Sequence, residues 1–245
     1  MSGHSKWANI KRKKQANDQA RGKVFSKLSR LITLAVLEGG GLTDPEHNIK
    51  LRLAVEKAKQ FNMPKDNIQR AIERGVGPNK DLLKEIVYEA FAPYGVALII
   101  LATTDNPNRT LAEIRNILDR HEGKLGAQGS VAYLFRKSGL VVFNRGAVNE
   151  EDVFSFAEKI NAFDIDQDET HFTLYLPFEN LGRIKDNLNN LQYEIAEIDY
   201  KPMSIVRVEN EEKAKKILSL IEALEEHEDV QKVFGNFDIP DQYLA

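Results

Sequence analysis

Residues 24–41 read VFSKLSRLITLAVLEGGG, and this stretch decides how the first third of the chain folds. Its apolar residues recur every three or four positions, which is the spacing of an amphipathic helix. The glycines at 39–41 predict where that helix ends. Lys23, Lys27 and Arg30 fall on the side of the helix that faces away from the apolar stripe. The stretch therefore predicts a helix with one apolar face and one basic face.

Two more helices are predicted directly after the first one. Asp44 is a typical N-cap residue and Pro45 suits a first helical position, so the second helix is expected to begin there. The third helix is expected to begin near Pro64 and to stop at Gly75. Residues 23–75 thus predict a small three-helix unit.

After residue 80 the pattern changes to short strands that alternate with helices. Strands are predicted at 85–92, 96–103 and 131–135, with a helix at 108–121. Near the end of the chain, a strand, a helix and a strand are predicted at 204–208, 210–226 and 230–234. These two groups are expected to form one domain that is split in the sequence.

The segment between the two groups has a complete pattern of its own. Its predicted order is β-α-β-β-α-β, which is the ferredoxin-like split motif. The strands are expected at 139–144, 163–167, 171–176 and 193–199, and the helices at 150–161 and 179–191. This pattern indicates a second α/β domain inserted into the first.

The predicted fold is therefore α+β, with an N-terminal three-helix domain and two ferredoxin-like α/β domains, one inserted in the other. The expected limits are 1–80 for the basic helical domain with its N-terminal arm, 81–136 together with 204–245 for the split domain, and 137–203 for the inserted domain.

Charge is distributed unevenly along the chain. Residues 1–80 contain 17 Lys and Arg against 7 Asp and Glu, whereas residues 81–245 contain 17 against 30. A basic segment of this kind indicates a polyanionic partner. The acidic remainder repels the same polyanion, so it is expected to face away from it or to hold a protein partner.

The densest basic region is the arm that precedes the first helix. Its cations, opposed by Asp18 alone, are Lys6, Lys11, Arg12, Lys13, Lys14 and Arg21. Each Lys or Arg that pairs with a phosphate releases counterions, so this arm is expected to bind a nucleic-acid backbone, with Lys23, Lys27 and Arg30 extending the basic field. Trp7 lies within the cluster. It either stacks on an unpaired base or packs the arm against the helices.

The third helix carries side chains that are able to read base edges in a major groove. Lys65, Asn67 and Arg70 are of this type, and Lys65 and Arg70 are counted among the predicted contacts. Polar residues are also what any exposed helix face carries. Base reading by this helix therefore stays one of two interpretations.

The sequence has no pattern that is typical of catalysis, of a metal site or of a cofactor site. There is no cysteine, the five histidines are scattered, and no glycine-rich phosphate-binding loop occurs. The polar stretch Asp105–Arg109 fits a turn and a helix cap better than a ligand site. We therefore expect a protein that is not an enzyme and that needs neither metal nor cofactor.

The chain is expected to be cytoplasmic and to have no membrane partner. Its basic start is followed by no apolar segment of the kind found in secretory signals. No stretch of the sequence is apolar over the length that a bilayer requires. The lack of cysteine suits a reducing compartment.

Four motifs resemble the YebC/PmpR family. They are GHSKWANIK at 3–11, NMPKDNI at 62–68, TDN at 104–106 followed by NRT at 108–110, and GSVAY at 129–133. The resemblance implies a helical domain and two α/β domains, one inserted in the other. Among the predicted nucleic-acid contacts, the resemblance ranks seven residues highest: Lys6, Trp7, Lys11, Arg12, Lys14, Lys27 and Arg30.

The resemblance also implies two different roles. Members of the family are described as probable DNA-binding transcriptional regulators, which makes a DNA-binding regulator of gene expression the leading hypothesis. Other members act in translation, at the ribosome on proline-containing stretches or as a mitochondrial activator of a cytochrome oxidase subunit. The alternative is therefore a ribosome-associated translation factor that binds ribosomal RNA. Basic residues do not separate the two hypotheses, because DNA and RNA share the same phosphate.

Overall fold

The computed structural model describes residues 18–78 and 83–243. The chain forms two compact units, one of residues 135–201 and one that contains the rest of the described chain. No helix in the described ranges is both long and apolar enough to cross a membrane.

Three helices form the first part of the larger unit: α1 (Asp18–Glu38), α2 (Ile49–Gln60) and α3 (Lys65–Val76). We call them the helical bundle. Helix α1 packs against both of the others. The shared core contains Leu28, Ile32, Val36, Leu51, Ala58, Ile68 and Ile72. This core confirms the apolar stripe that the sequence predicts on the first helix.

The second helix begins later than the sequence predicts. Asp44 and Pro45 lie in a turn, in which Asp44 accepts a hydrogen bond from the backbone N–H of Glu46. The N-cap is Asn48, whose side-chain oxygen accepts a hydrogen bond from the N–H of Leu51. The Asn48 amide also donates to the Ala35 carbonyl at 2.9 Å, so this cap is fixed by the preceding helix. The prediction of Asp44 as N-cap is wrong because a local cap signal does not show which residue gains tertiary partners.

The α/β part begins with β1 (Lys84–Phe91), β2 (Ala97–Thr104), α4 (Pro107–Arg120) and β3 (Lys124–Leu125). The inserted domain follows with β4 (Phe135–Asn144), α5 (Glu150–Lys159), β5 (Asp164–Gln167), β6 (His171–Pro177), α6 (Ile184–Asn187) and β7 (Ile195–Pro202). The chain closes with β8 (Val206–Arg207), α7 (Glu211–Glu226), β9 (Val230–Gly235) and β10 (Phe237–Asp238).

The split domain is built on a four-stranded sheet in the order β3-β1-β2-β9. Its neighbouring strands β1, β2 and β9 pair antiparallel. Helices α4 and α7 cover one face of this sheet, where Leu98, Ile100, Ile114, Ile221 and Leu224 lie in one core. Strands β8 and β10 form a separate short parallel pair.

The inserted domain has a four-stranded sheet in the order β5-β6-β4-β7. This order places its first and third strands in the centre, as the β-α-β-β-α-β pattern requires. The α+β fold class with a helical part and two α/β parts is thereby confirmed. The exact domain limits at residues 80, 136 and 203 stay a prediction.

Two predicted elements of the α/β part are wrong. The sequence predicts a strand at 131–135, but residues 132–134 form a 3-10 turn and the strand begins at Phe135. The expected helix at 179–191 is a 3-10 segment, Phe178–Arg183, followed by the single turn of α6. The backbone N–H groups of Val131 and Ala132 donate to the carboxylate of Glu89 and so are bonded outside any strand ladder.

Close contact between α1 and α3 depends on Gly75. A Cβ atom at this position would lie 2.5 Å from the Cβ of Val36. We expect Gly75→Ala to lower the free energy of unfolding by about 1–3 kcal/mol. The two Cβ atoms are attached directly to the backbone, so no change of side-chain rotamer separates them. Urea unfolding measures this change.

Gly22→Ala is the matched control for this substitution. Gly22 also lies in a helix, but nothing is within 4 Å of its added Cβ. This variant should gain up to about 1 kcal/mol from helix propensity. Equal effects of the two substitutions would contradict the close contact at Gly75.

Candidate nucleic-acid interface

The predicted contact residues fall into two groups. Lys6, Trp7, Lys11, Arg12, Lys13 and Lys14 lie outside the described residues, as does the side chain of Arg21. Their role stays a prediction. Lys23, Lys27, Arg30, Lys65 and Arg70 are described, and the structure places them in different surroundings.

Lys27 is hydrogen-bonded to backbone carbonyls at the C-terminal end of α7 and just beyond it. Its Nζ donates to the carbonyl oxygen of Glu225 at 2.5 Å and to that of Val230 at 2.6 Å. Glu225 belongs to the last turn of α7, which contains no basic residue of its own. The C-terminal end of a helix carries partial negative charge. Lys27 of α1 therefore supplies the cation that α7 lacks.

Arg30 pairs with two carboxylates of the turn that follows α7. It donates to Oδ1 of Asp229, and its guanidinium lies 3.7 Å from the carboxylate of Glu228. The side chain of Asp229 is 2% exposed, whereas that of Glu228 is 71% exposed. The pair with Asp229 is thus a buried one, and the pair with Glu228 is a surface contact of small energy.

Asp229 accepts two further hydrogen bonds from α4. Its Oδ2 accepts a hydrogen bond from the guanidinium of Arg109 at 3.0 Å and another from the hydroxyl of Thr110 at 2.6 Å. We call Arg30, Arg109, Thr110 and Asp229 the Asp229 clasp. It joins three segments that are distant in sequence: α1, the start of α4 and the turn before β9.

The clasp keeps Asp229 ionised. Burial alone raises the pKa of this carboxyl. The hydrogen bonds from Thr110 and Arg109, with the charge of Arg30, outweigh that effect and hold the pKa of Asp229 below its usual value. A buried carboxylate needs such partners to remain charged.

The start of α4 shows what the polar stretch Asp105–Arg109 does. Asn106 is the N-cap and accepts a hydrogen bond from the N–H of Arg109, and Pro107 is in the first turn. The predicted turn and cap are therefore confirmed. The sequence did not indicate that the Arg109 side chain reaches Asp229, because that partner lies 120 residues away.

The two faces of α1 have different neighbours. A helix turns by about 100° per residue, so Lys27, Arg30 and Leu34 share one side while Ile32 and Val36 lie on the opposite side. The Ile32 side packs on α2 and α3. The Lys27 side packs on β2 and β9 of the split domain. The face whose cations are predicted to contact nucleic acid is thus packed on the split domain at Lys27 and Arg30.

Several cations of the helical bundle are exposed. Lys65, Arg70 and Arg74 of α3 are exposed, as is Lys59 at the end of α2. Lys23 is exposed on the first turns of α1. No side chain caps the N-terminus of α3, whose first turn carries both Lys65 and Asp66. These cations are of the residue types that pair with phosphate.

Arg70 and Asn67, the candidates for base reading, contact each other. The Arg70 guanidinium donates to Oδ1 of Asn67 at 2.5 Å and to the carbonyl of Asp66 at 3.2 Å. Both side chains would have to give up this bond to read a base. Lys65 and Arg74 of the same helix are exposed and take no part in this pair.

A possible cation site adjoins the clasp. Among the described residues, ligand atoms of Glu113, His227 and Asp229 lie within 4.8 Å of one another. The oxygens of Asp229 already accept hydrogen bonds from Arg30, Arg109 and Thr110. Two guanidinium groups this close repel a metal ion, so we assign no metal to these residues.

The buried carboxylate makes stability depend on pH. We expect Asp229→Asn to lower the free energy of unfolding by about 3–5 kcal/mol at neutral pH, because two arginines lose the charge that they surround. The folded pKa is depressed, so this stabilisation is present above the unfolded pKa of about 3.9 and is lost as pH falls through the lower folded value. The difference between wild type and variant should therefore shrink below about pH 4.

Urea unfolding at a series of pH values measures this difference. Glu226→Gln, an exposed change in the same turn, is the control and should cost less than about 0.5 kcal/mol. If the difference in free energy of unfolding between wild type and Asp229→Asn stays constant down to about pH 2, the charge of Asp229 is not the source of the stabilisation.

Known proteins are similar to this chain over its whole length. The model described as the TACO1/YebC protein N-terminal domain matches residues 5–78, and the model of the TACO1/YebC second and third domain matches residues 83–237. A protein of Rubrobacter xylanophilus named "Probable transcriptional regulatory protein" is 46% identical over 100% of this chain and 98% of its own length. A protein of Aquifex aeolicus with the same name is 45% identical over the same shares of the two chains.

A solved structure agrees with these matches. The crystal structure of a conserved hypothetical protein from Aquifex aeolicus has a TM-score of 0.83 and 42% identity, and it covers 93% of this chain and 94% of its own. The family indicated by the four sequence motifs is confirmed. The chain belongs to the TACO1/YebC family.

Proposed function

We propose that this protein is a cytoplasmic, DNA-binding regulator of transcription that acts by binding and not by catalysis. The observation that carries the proposal is that Lys65 and Arg74, in the first and last turns of α3, are both exposed. The relatives named as probable transcriptional regulatory proteins support the same role.

The basic surface suits the phosphate backbone. Lys65 stands in the first turn of α3, where the helix dipole favours an anion and the carboxylate of Asp66 opposes one. Arg74 lies in the last turn of the same helix and projects from a different side of it, so it would meet a different phosphate. The predicted arm, with Lys11 to Lys14, adds further contacts of the same kind.

Lys27 and Arg30 have a different part in this proposal. Their cationic groups donate hydrogen bonds to Glu225, Val230 and Asp229. We therefore assign them to holding the bundle in place and not to the main contacts with phosphate. The acidic α/β part is left for a protein partner, because like charge keeps it from the same polyanion.

Neutral substitutions on α3 test the binding surface. We expect Lys65→Gln and Arg74→Gln each to weaken binding to random-sequence duplex DNA. Each should also flatten the slope of log affinity against log salt by about 0.9, because one phosphate contact is removed. Titration of fluorescent DNA across salt concentrations measures both effects.

Lys215→Gln is the matched control, since this exposed lysine lies on α7 and pairs with Glu211. It should leave the salt slope unchanged. If the α3 variants behave like this control, α3 is not part of the nucleic-acid interface.

Ultraviolet crosslinking in cells distinguishes the two nucleic acids. A DNA-binding regulator should be recovered with a limited set of promoter sequences. Recovery with ribosomal RNA instead would assign the same basic surface to a ribosome-associated translation factor, and the transcriptional role would be wrong.

A further inference from the structure

Two oppositely charged surfaces share this chain. Residues 18–78 contain 11 Lys and Arg against 7 Asp and Glu, whereas residues 202–243 contain 5 against 10. Surfaces tethered in one chain meet at an effective concentration of about millimolar. We call the exposed carboxylates of the second segment the acidic surface: Glu209, Glu211, Glu212, Glu222, Glu226 and Glu228. If the two parts were free to move, this surface would compete with phosphate for the cations of the bundle.

The structure holds these two surfaces apart. Helix α1 lies between them, with α2 and α3 on one side and strands β2 and β9 on the other. Helix α3 therefore packs on α1 and not on the sheet. Release of α1 from the sheet would leave the cations of α3 free to move relative to the acidic surface.

The contact that fixes the bundle is centred on one buried carboxylate. Asp229 binds Arg30 of α1 and, at the same time, Arg109 and Thr110 of α4. Lys27 adds two bonds to backbone carbonyls beside the same turn. Two cations of α1 are thus bonded at the turn between α7 and β9, Arg30 to a carboxylate and Lys27 to backbone carbonyls.

We propose that Asp229 is a positioning residue for nucleic-acid binding: by clasping Arg30 and Arg109 it fixes the helical bundle on the split domain, so that the basic surface of α3 cannot close on the acidic surface of its own chain. This inference rests on the proposed function, because it assigns the cations of α3 to nucleic acid. Asp229 itself contacts no ligand.

The first test is the salt dependence of DNA binding by full-length Asp229→Asn. We expect binding to a short random-sequence duplex to weaken about tenfold at low salt, as when the binding-competent form falls to about one tenth of the molecules. The loss should diminish as salt rises, because salt screens the competing acidic surface as well.

Two different effects of the substitution would change DNA binding in other ways. Removal of a negative charge without a change in position would strengthen binding to a polyanion, which is the expected behaviour of the control Glu226→Gln. Local damage to the fold would give a loss that does not depend on salt. Either result for Asp229→Asn would overturn the proposal.

Arg30→Lys provides a second variant with a milder effect on folding. It keeps the charge of α1 but loses the planar guanidinium that pairs with Asp229 and Glu228. We expect a weaker form of the same salt-dependent loss. Unchanged binding by this variant, together with unchanged binding by Asp229→Asn, would overturn the proposal.

A distance measurement tests the position directly. The chain has no cysteine, so spin labels are readily placed at the exposed positions of Gln69→Cys on α3 and Glu222→Cys on α7. We expect one narrow distance distribution with Asp229 present and a broad one, extending to shorter distances, in Asp229→Asn. A distribution that stays narrow in the variant would overturn the positioning role.

The α3 variants separate failure of this inference from failure of the proposed function. If Lys65→Gln and Arg74→Gln weaken DNA binding while Asp229→Asn binds as the wild type does, only the positioning role is wrong. If the α3 variants have no effect, the assignment of α3 to nucleic acid is wrong, and the positioning role is overturned with it.

Discussion

The pairing of Arg30 with the buried carboxylate of Asp229 is the contact on which the arrangement of the larger unit depends. A carboxylate that is 2% exposed is costly unless cations and donors surround it. Arg109 and Thr110 of α4 supply two of these donors, and Arg30 of α1 supplies the third. Since removing one partner leaves a buried charge uncompensated, the three segments are energetically tied to one another.

Charge and packing are combined on α1. One side of this helix contributes Ile32 and Val36 to the core of the bundle, and the other contributes Lys27 and Arg30 to the split domain. Lys27 and Arg30, in the middle of this helix, are thus bonded to partners within the chain. Under the proposed function, the cations left for a polyanion are those of α3 and Lys23, which is exposed on the first turns of α1.

The sequence predicts those features that depend on local periodicity. The apolar stripe of α1 and the β-α-β-β-α-β order of the inserted domain are present in the structure. The predicted start of α2 is wrong because Asn48 gains bonds to Ala35 and Leu42 that no local pattern shows. The partners of Lys27 and Arg30 lie about 200 residues away. Position along a helix predicts which side these cations occupy, but only tertiary structure shows what that side meets.

A second buried carboxylate follows the same physical rule. Burial raises the pKa of Glu89, but the backbone N–H groups of Val131, Gly129 and Ala132 hold that pKa below its usual value. Glu89 thereby fixes the 129–132 loop, much as Asp229 fixes the bundle. Counting acidic residues in the α/β part accordingly overstates the negative charge available to repel a polyanion. Some of the most buried carboxylates outside the bundle are therefore internal anchors and not surface charge.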